Sequence, residues 1–288
     1  MTSRSFGDRL AAEFAAGRHL CAGIDPHAGL LEAWGLADDA AGAERMGRGL
    51  VAAAAGVAAC VKPQIAFFER FGAAGFRALE RVLADARAAG LLVIADVKRG
   101  DIDSSFAAYA DAWLAPGSPL EADAMTVAAY QGFGTLQGAL AHVRAHGKGL
   151  FVLAATSNPE ARSVQLAVRS DGRSVAAAMV ADAEAWNREA AADGAAGAVG
   201  SVGVVLGATL DLAGFGIDTG ERSAPPALPV LAPGFGHQGA RIEDAGSIFG
   251  GIGHALLANE SRSILAGGPE GLVERIRERA DAIAAALA

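Results

Sequence analysis

The sequence predicts an α/β chain folded as a single closed (β/α)8 barrel, the TIM-barrel class, on three observations. Eight short apolar, β-branched runs recur along 288 residues, with Ala-rich segments of helical spacing between them. The runs are continuously hydrophobic rather than alternating, as strands covered on both faces must be. The length suits one barrel of this kind and is ample for a large core. An open doubly wound sheet is the competing architecture, but no G-x-G-x-x-G turn follows the first run.

The chain opens with Phe6, Leu10 and Phe14 at spacing four, with charges between them. Residues 2–18 therefore read as an amphipathic helix rather than a signal peptide. Predicted strands follow at 19–25, 57–64, 91–98, 124–129, 149–156, 202–209, 229–234 and 254–260. An Ala-rich stretch at 49–59 leads as helix toward the second strand. Helical spacing also marks 76–89, 132–146, 174–192 and 241–246, and a last helix is expected over 269–287. Eight strand–helix units in this order favour closure. No linker divides the chain, so residues 1–288 are expected to form one domain. The stretch 211–229, with Gly214, Gly216, Gly220 and three prolines, reads as an insertion between the sixth and seventh units.

Composition narrows the partners. At 52% hydrophobic and 19% charged the chain is not a disordered one. A net charge of −8 argues against nucleic acid, which needs a basic face. No apolar run is long enough and free enough of Gly breaks to span a membrane. A phosphorylated small molecule stays open, because one Arg and a few backbone N–H groups can hold it. Cys21 and Cys60 make neither a metal-ligand spacing nor a disulfide framework, so a reducing cytoplasm is the expected setting and no metal site is expected.

The chemistry concentrates in 95–105, A-D-V-K-R-G-D-I-D-S-S, directly after the apolar Leu91-Leu92-Val93-Ile94. Strand side chains alternate faces, so Asp96 and Lys98 are expected to share one, with Asp101 just beyond the strand end. Two carboxylates around one ammonium are costly to bury and rarely arise from packing alone. Such an array can stabilise a developing carbanion and then deliver a proton. Of 24 Lys and Arg residues only three are lysines: Lys62, Lys98 and Lys148. Arg holds its proton too tightly to act as an acid near neutral pH, whereas an ammonium can donate one. A lone strand-end lysine is ordinarily a snorkelling side chain or a structural ion pair. Two from a pool of three, both at the ends of apolar strands, point to chemistry; Lys148 reads as a loop lysine.

Other strands also end in polar or tightly turning residues: Asp25-Pro26-His27, Lys62-Pro63-Gln64 and Thr156-Ser157-Asn158-Pro159. Barrel chemistry sits at these C-terminal ends. The turn opened by Pro233 and Gly234, running to Gly239, and Arg262 after the eighth strand occupy the places where barrels commonly bind phosphate.

Together these segments resemble the orotidine 5′-phosphate decarboxylase family in its longer bacterial form. The likeness runs from Gly23-Ile24-Asp25-Pro26-His27 through Lys62-Pro63-Gln64 with Phe67-Phe68-Glu69, and on to Asp96-Val97-Lys98-Arg99-Gly100-Asp101-Ile102. It continues in Thr156-Ser157-Asn158, Pro233-Gly234-Phe235-Gly236 and Ser261-Arg262. It implies a homodimeric barrel that converts orotidine 5′-monophosphate to UMP and CO₂ in de novo pyrimidine synthesis, with neither metal nor organic cofactor. By resemblance, Lys98 would protonate C6 of the pyrimidine and Asp96 would lie against the substrate carboxylate. Asp101 and Ile102 would reach into the site of a second subunit. Asp25 and Lys62 would bind ribose hydroxyls, Lys62 completing a Lys-Asp-Lys-Asp network. Ser157 would contact the ring, while Gln238 and Arg262 would hold the phosphate side. Two positions depart from the family pattern: Ser105 stands where Thr is common, and His237 where a small residue is usual.

Decarboxylation leaves an electron pair on an sp² carbon with little resonance relief, and a preorganised ammonium in a dry site stabilises it far better than water. So slow a background reaction asks for up to about 23 kcal/mol of barrier reduction, so binding energy from the remote phosphate must assist. Two rival functions remain: a Mg²⁺-dependent decarboxylase or aldolase acting on sugar phosphates, and a barrel that binds nucleotides without turnover. The full-length likeness weighs against the first, and the intact charged set against the second.

Overall fold

The computed structural model describes residues 4–194, 197–220 and 225–287, and in it eight parallel strands close into a barrel. They are β1 (Leu20–Ile24), β2 (Cys60–Pro63), β3 (Leu92–Arg99), β4 (Ala124–Val127), β5 (Gly149–Ala155), β6 (Val202–Leu206), β7 (Val230–Pro233) and β8 (Leu256–Glu260). Each pairs with its sequence neighbour, and β8 returns to β1 with Leu20 opposite Ala258 and Ala22 opposite Glu260. Nearly every strand residue is buried, which is why the sequence shows apolar runs instead of alternation.

The helices are α1 (Phe6–Ala15), α2 (Ala28–Ala33), α3 (Ala40–Ala54), α4 (Ala66–Glu69), α5 (Gly72–Ala88) and α6 (Asp103–Leu114). They continue with α7 (Gln137–His146), α8 (Arg162–Gln165), α9 (Val175–Ala192), α10 (Ala245–Phe249), α11 (Arg262–Leu265) and α12 (Leu272–Leu287). The predicted 49–59 helix is the tail of α3. It stops before Gly56, whose φ of +74° breaks the turn, so β2 begins at Cys60 rather than 57. α6 carried no helical expectation, although Phe106, Ala110, Trp113 and Leu114 form its buried face.

Between β6 and β7 the described residues hold a 3-10 turn, Ala213–Phe215, and no α-helix. The predicted insertion at 211–229 is this connection, and its residues 221–224 lie outside the described residues.

Two cores stabilise the barrel. An outer one packs the strands against the helices, and an inner one fills the barrel floor with Cys21, Cys60, Ile94, Phe151 and Leu257. α1 seals that floor from the N-terminal side. Its Phe6 is fully buried and meets Phe151 edge-on, centroids 6.0 Å apart. Asp123, just before β4, accepts hydrogen bonds from the Arg9 side chain and from the Val93 N–H at 2.8 Å. It therefore anchors α1 at the end of the barrel opposite the strand C-termini.

Candidate active site

The regular alternation expected along β3 stops before Lys98. Lys98 has φ of +48°, and the pairing with β4 shifts register between Ala95 and Arg99. A lysine in the left-handed region is a strained residue held by its surroundings. The holding group is Thr126 on β4, whose Oγ1 accepts the Lys98 N–H at 2.9 Å and donates to Asp96 Oδ1 at 2.9 Å. This irregular turn, rather than strand periodicity, brings Lys98 Nζ to 2.7 Å from Asp96 Oδ1.

Asp96 binds a second ammonium through its other oxygen, with Lys62 Nζ 2.6 Å from Oδ2. Lys62 comes from the end of β2 and is buried, whereas the Lys98 side chain is 42% exposed and faces the mouth. Burial alone would raise the Asp96 pKa, but the charges of Lys62 and Lys98 outweigh it and hold the carboxyl far below the usual range. Burial likewise pulls the Lys62 ammonium down, yet Asp96 and then Asp25 more than reverse this, leaving it above the ordinary lysine value. Both groups therefore stay charged in the buried site.

These residues border a pocket of about 420 Å³ floored by Leu153, Val205 and Leu231. Gln64 joins the charged wall, its Oε1 3.3 Å from Lys98 Nζ. Thr156, Asn158 and Pro233 close the far side, and Gln238 reaches in from the turn after β7. A smaller cleft of about 70 Å³ shares Asp25, Gln238 and Asn259 with this pocket and adds Gly234, His237, Ser261 and Arg262. Asp25 Oδ1 and Ser261 Oγ are buried without a hydrogen-bond partner, so both are free to bind a guest. Gly23 makes room here, since a Cβ on it would lie 2.8 Å from Ser261 Cβ.

Of the residues singled out in the sequence, Asp25, Lys62, Asp96, Lys98, Pro233, Gly234, Gln238 and Arg262 thus converge. Four do not line the pocket. Ser157 is exposed between the lining residues Thr156 and Asn158, and Ser105 is exposed on α6. Ile102 is 49% exposed, and Asp101 Oδ1 accepts the Ile102 N–H at 2.8 Å. Contributors that carried no assigned role include Thr126, Asn259 and Gln64. Thr126 had a signal, being the one hydroxyl in the strand Ala-Met-Thr-Val. Among the described residues no group of three or more His, Cys, Asp or Glu is arranged to hold a metal ion, and no helix is long and apolar enough to cross a membrane.

A closed barrel with two lysines bridged by one aspartate at its C-terminal mouth defines a (β/α)8-barrel enzyme site. A family model, "Orotidine 5′-phosphate decarboxylase / HUMPS family", matches residues 18–271. The orotidine 5′-phosphate decarboxylase of Streptomyces coelicolor is 48% identical over 280 residues, covering 97% of this chain and 95% of that protein. That of Corynebacterium efficiens is 45% identical over 273 residues, with 93% and 92% covered. A crystal structure from Streptomyces avermitilis superposes with a TM-score of 0.91 at 47% identity, covering 100% of this chain and 97% of its own. The chain belongs to the orotidine 5′-phosphate decarboxylase / HUMPS family.

Proposed function

We infer that this chain is a carboxy-lyase that decarboxylates orotidine 5′-monophosphate to UMP and CO₂ in pyrimidine nucleotide synthesis, without a metal or organic cofactor. The observation that carries this is Asp96 held between Lys62 and Lys98 at the edge of an apolar-floored pocket. With the phosphate in the cleft beside Arg262, the pyrimidine extends over the apolar floor toward Lys98. Asp96, fixed as an anion by its two lysines, faces the substrate carboxylate. When the C6–carboxylate bond breaks, its electron pair stays on C6, and the Lys98 ammonium stabilises it electrostatically and then transfers a proton to C6. Lys62 remains charged throughout and, with Asp25, binds the ribose hydroxyls. Ser157 serves the ring when the exposed segment after β5 folds over it.

The active unit is a homodimer of single-domain chains in the cytoplasm. The exposed Ile102 supports this, as does a lateral cleft of about 350 Å³ that opens beside Lys98 between Gln64 and Arg99. Asp101 and Ile102 of a second copy complete the charged network through that cleft, with Ser105 beside them.

The test is loss of orotidine 5′-monophosphate absorbance in excess EDTA, with wild type beside Lys98→Ala. Metal-independent turnover that vanishes in the variant is expected. No turnover by wild type would sink the assignment and favour the sugar-phosphate alternative, and turnover only after Mg²⁺ is restored would refute cofactor-free chemistry. Mixing inactive Lys98→Ala and Asp101→Ala chains restores activity if sites are shared, because each hybrid dimer holds one intact site. No recovery, in chains that exchange subunits, would refute the sharing.

A further inference from the structure

The turn after β7 carries an imidazole with no part in the reaction described so far. His237 lies in the 3-10 turn Gly236–Gln238 and lines the small cleft with Arg262, Gln238 and Ser261. Arg262 and Gln238 supply N–H donors there, and Ser261 Oγ is buried and unpaired. Such a donor set suits an oxyanion. The cleft adjoins the main pocket through Asp25 and Asn259, so one ligand can span both.

We propose that His237 is a substrate-binding residue whose ring N–H donates a hydrogen bond to the substrate phosphate. This rests on the decarboxylase assignment above. The charged groups facing His237 are few. Arg262 at the start of α11 adds fixed positive charge, and Asp25 from the end of β1 opposes it across the cleft. Glu260, at the end of β8, is already bound by Arg279 at 2.6 Å and by Ser263 at 2.5 Å. His237 is exposed, so substituting it leaves the packing of the barrel intact.

For His237→Ala, KM is expected to be about tenfold above wild type. His237→Gln keeps a side-chain N–H donor, so its KM should rise less than that of His237→Ala. Calorimetry gives a readout without turnover: UMP affinity at pH 6 falls by the same factor in His237→Ala, while uridine, lacking the phosphate, binds both proteins alike. Matching KM and UMP affinity in wild type and His237→Ala at pH 6 would overturn the proposal and leave the decarboxylase assignment standing. A wild type that neither consumes orotidine 5′-monophosphate nor binds UMP would overturn both.

Discussion

At the residue scale, one carboxylate organises the site. Asp96 uses one oxygen for each lysine, and Thr126 shares Oδ1 while pinning the Lys98 backbone. Thr126→Val removes the donor to Asp96 and leaves the Lys98 N–H without its acceptor. An unmade buried hydrogen bond costs about 1–3 kcal/mol, so kcat should fall roughly tenfold to a hundredfold as Lys98 loses its fixed position. A variant with unchanged steady-state kinetics would show that Lys98 is held by other means. The charged trio also sets a pH signature. The Asp96 pKa lies below its ordinary 3.8, so its contribution to stability is present above that value and is lost only as pH falls through the depressed one. The Lys62 pKa lies above its ordinary 10.5, so its contribution is full below 10.5 and is lost as pH rises through the raised value. Thermal melts of wild type and Lys62→Met should therefore differ by a constant margin from pH 5 to 9. A margin that collapses near neutrality would mean that Lys62 is not held as a cation.

At the scale of elements, stability and chemistry occupy opposite ends of the strands. α1 seals the floor, and Phe6→Ala removes a fully buried ring there. The expected loss is about 3–5 kcal/mol with kcat unchanged at temperatures where the variant remains folded. A drop in kcat without a drop in melting temperature would contradict this division. The strands were legible because burial on both faces leaves apolar runs that need no periodicity to be seen; seven fall within their predicted spans, and β3 runs one residue past its own, to Arg99. α6 was missed for the converse reason. Its outer face carries Ala108 and Tyr109 in place of charges, so the contrast that marks an amphipathic helix is weak. In the site, charged residues at strand ends could be found by type and order. The left-handed Lys98 could not, because it follows from a register shift between β3 and β4 that no local pattern encodes, and the lone strand hydroxyl marked Thr126 without revealing what it holds.

For the whole molecule, the cleft wall that carries Arg262 is tied to the last helix. Glu260 is buried at the end of β8, and Arg279 on α12 grips both of its oxygens, at 2.6 Å and 2.9 Å. Arg279→Ala strands a buried carboxylate that also receives the Ser263 hydroxyl beside Arg262. The expected cost is about 2 kcal/mol of stability together with a raised KM, because the turn carrying Arg262 loses its brace. Arg279→Lys should recover part of both effects, and a rise in KM without any loss of stability would argue against bracing.

The β1–β8 seam has a consequence for synthesis. Asp25 follows the first strand, while Asn259, Ser261 and Arg262 sit at or just beyond the eighth. A ribosome therefore releases one half of the small cleft early and the other half only after most of the chain has been made. Until β8 emerges and zips against β1, the nascent polypeptide has an open sheet with two unpaired edges and no assembled cleft. Ligand cannot rescue a stalled or truncated chain; only the finished ring can be stabilised by what it binds.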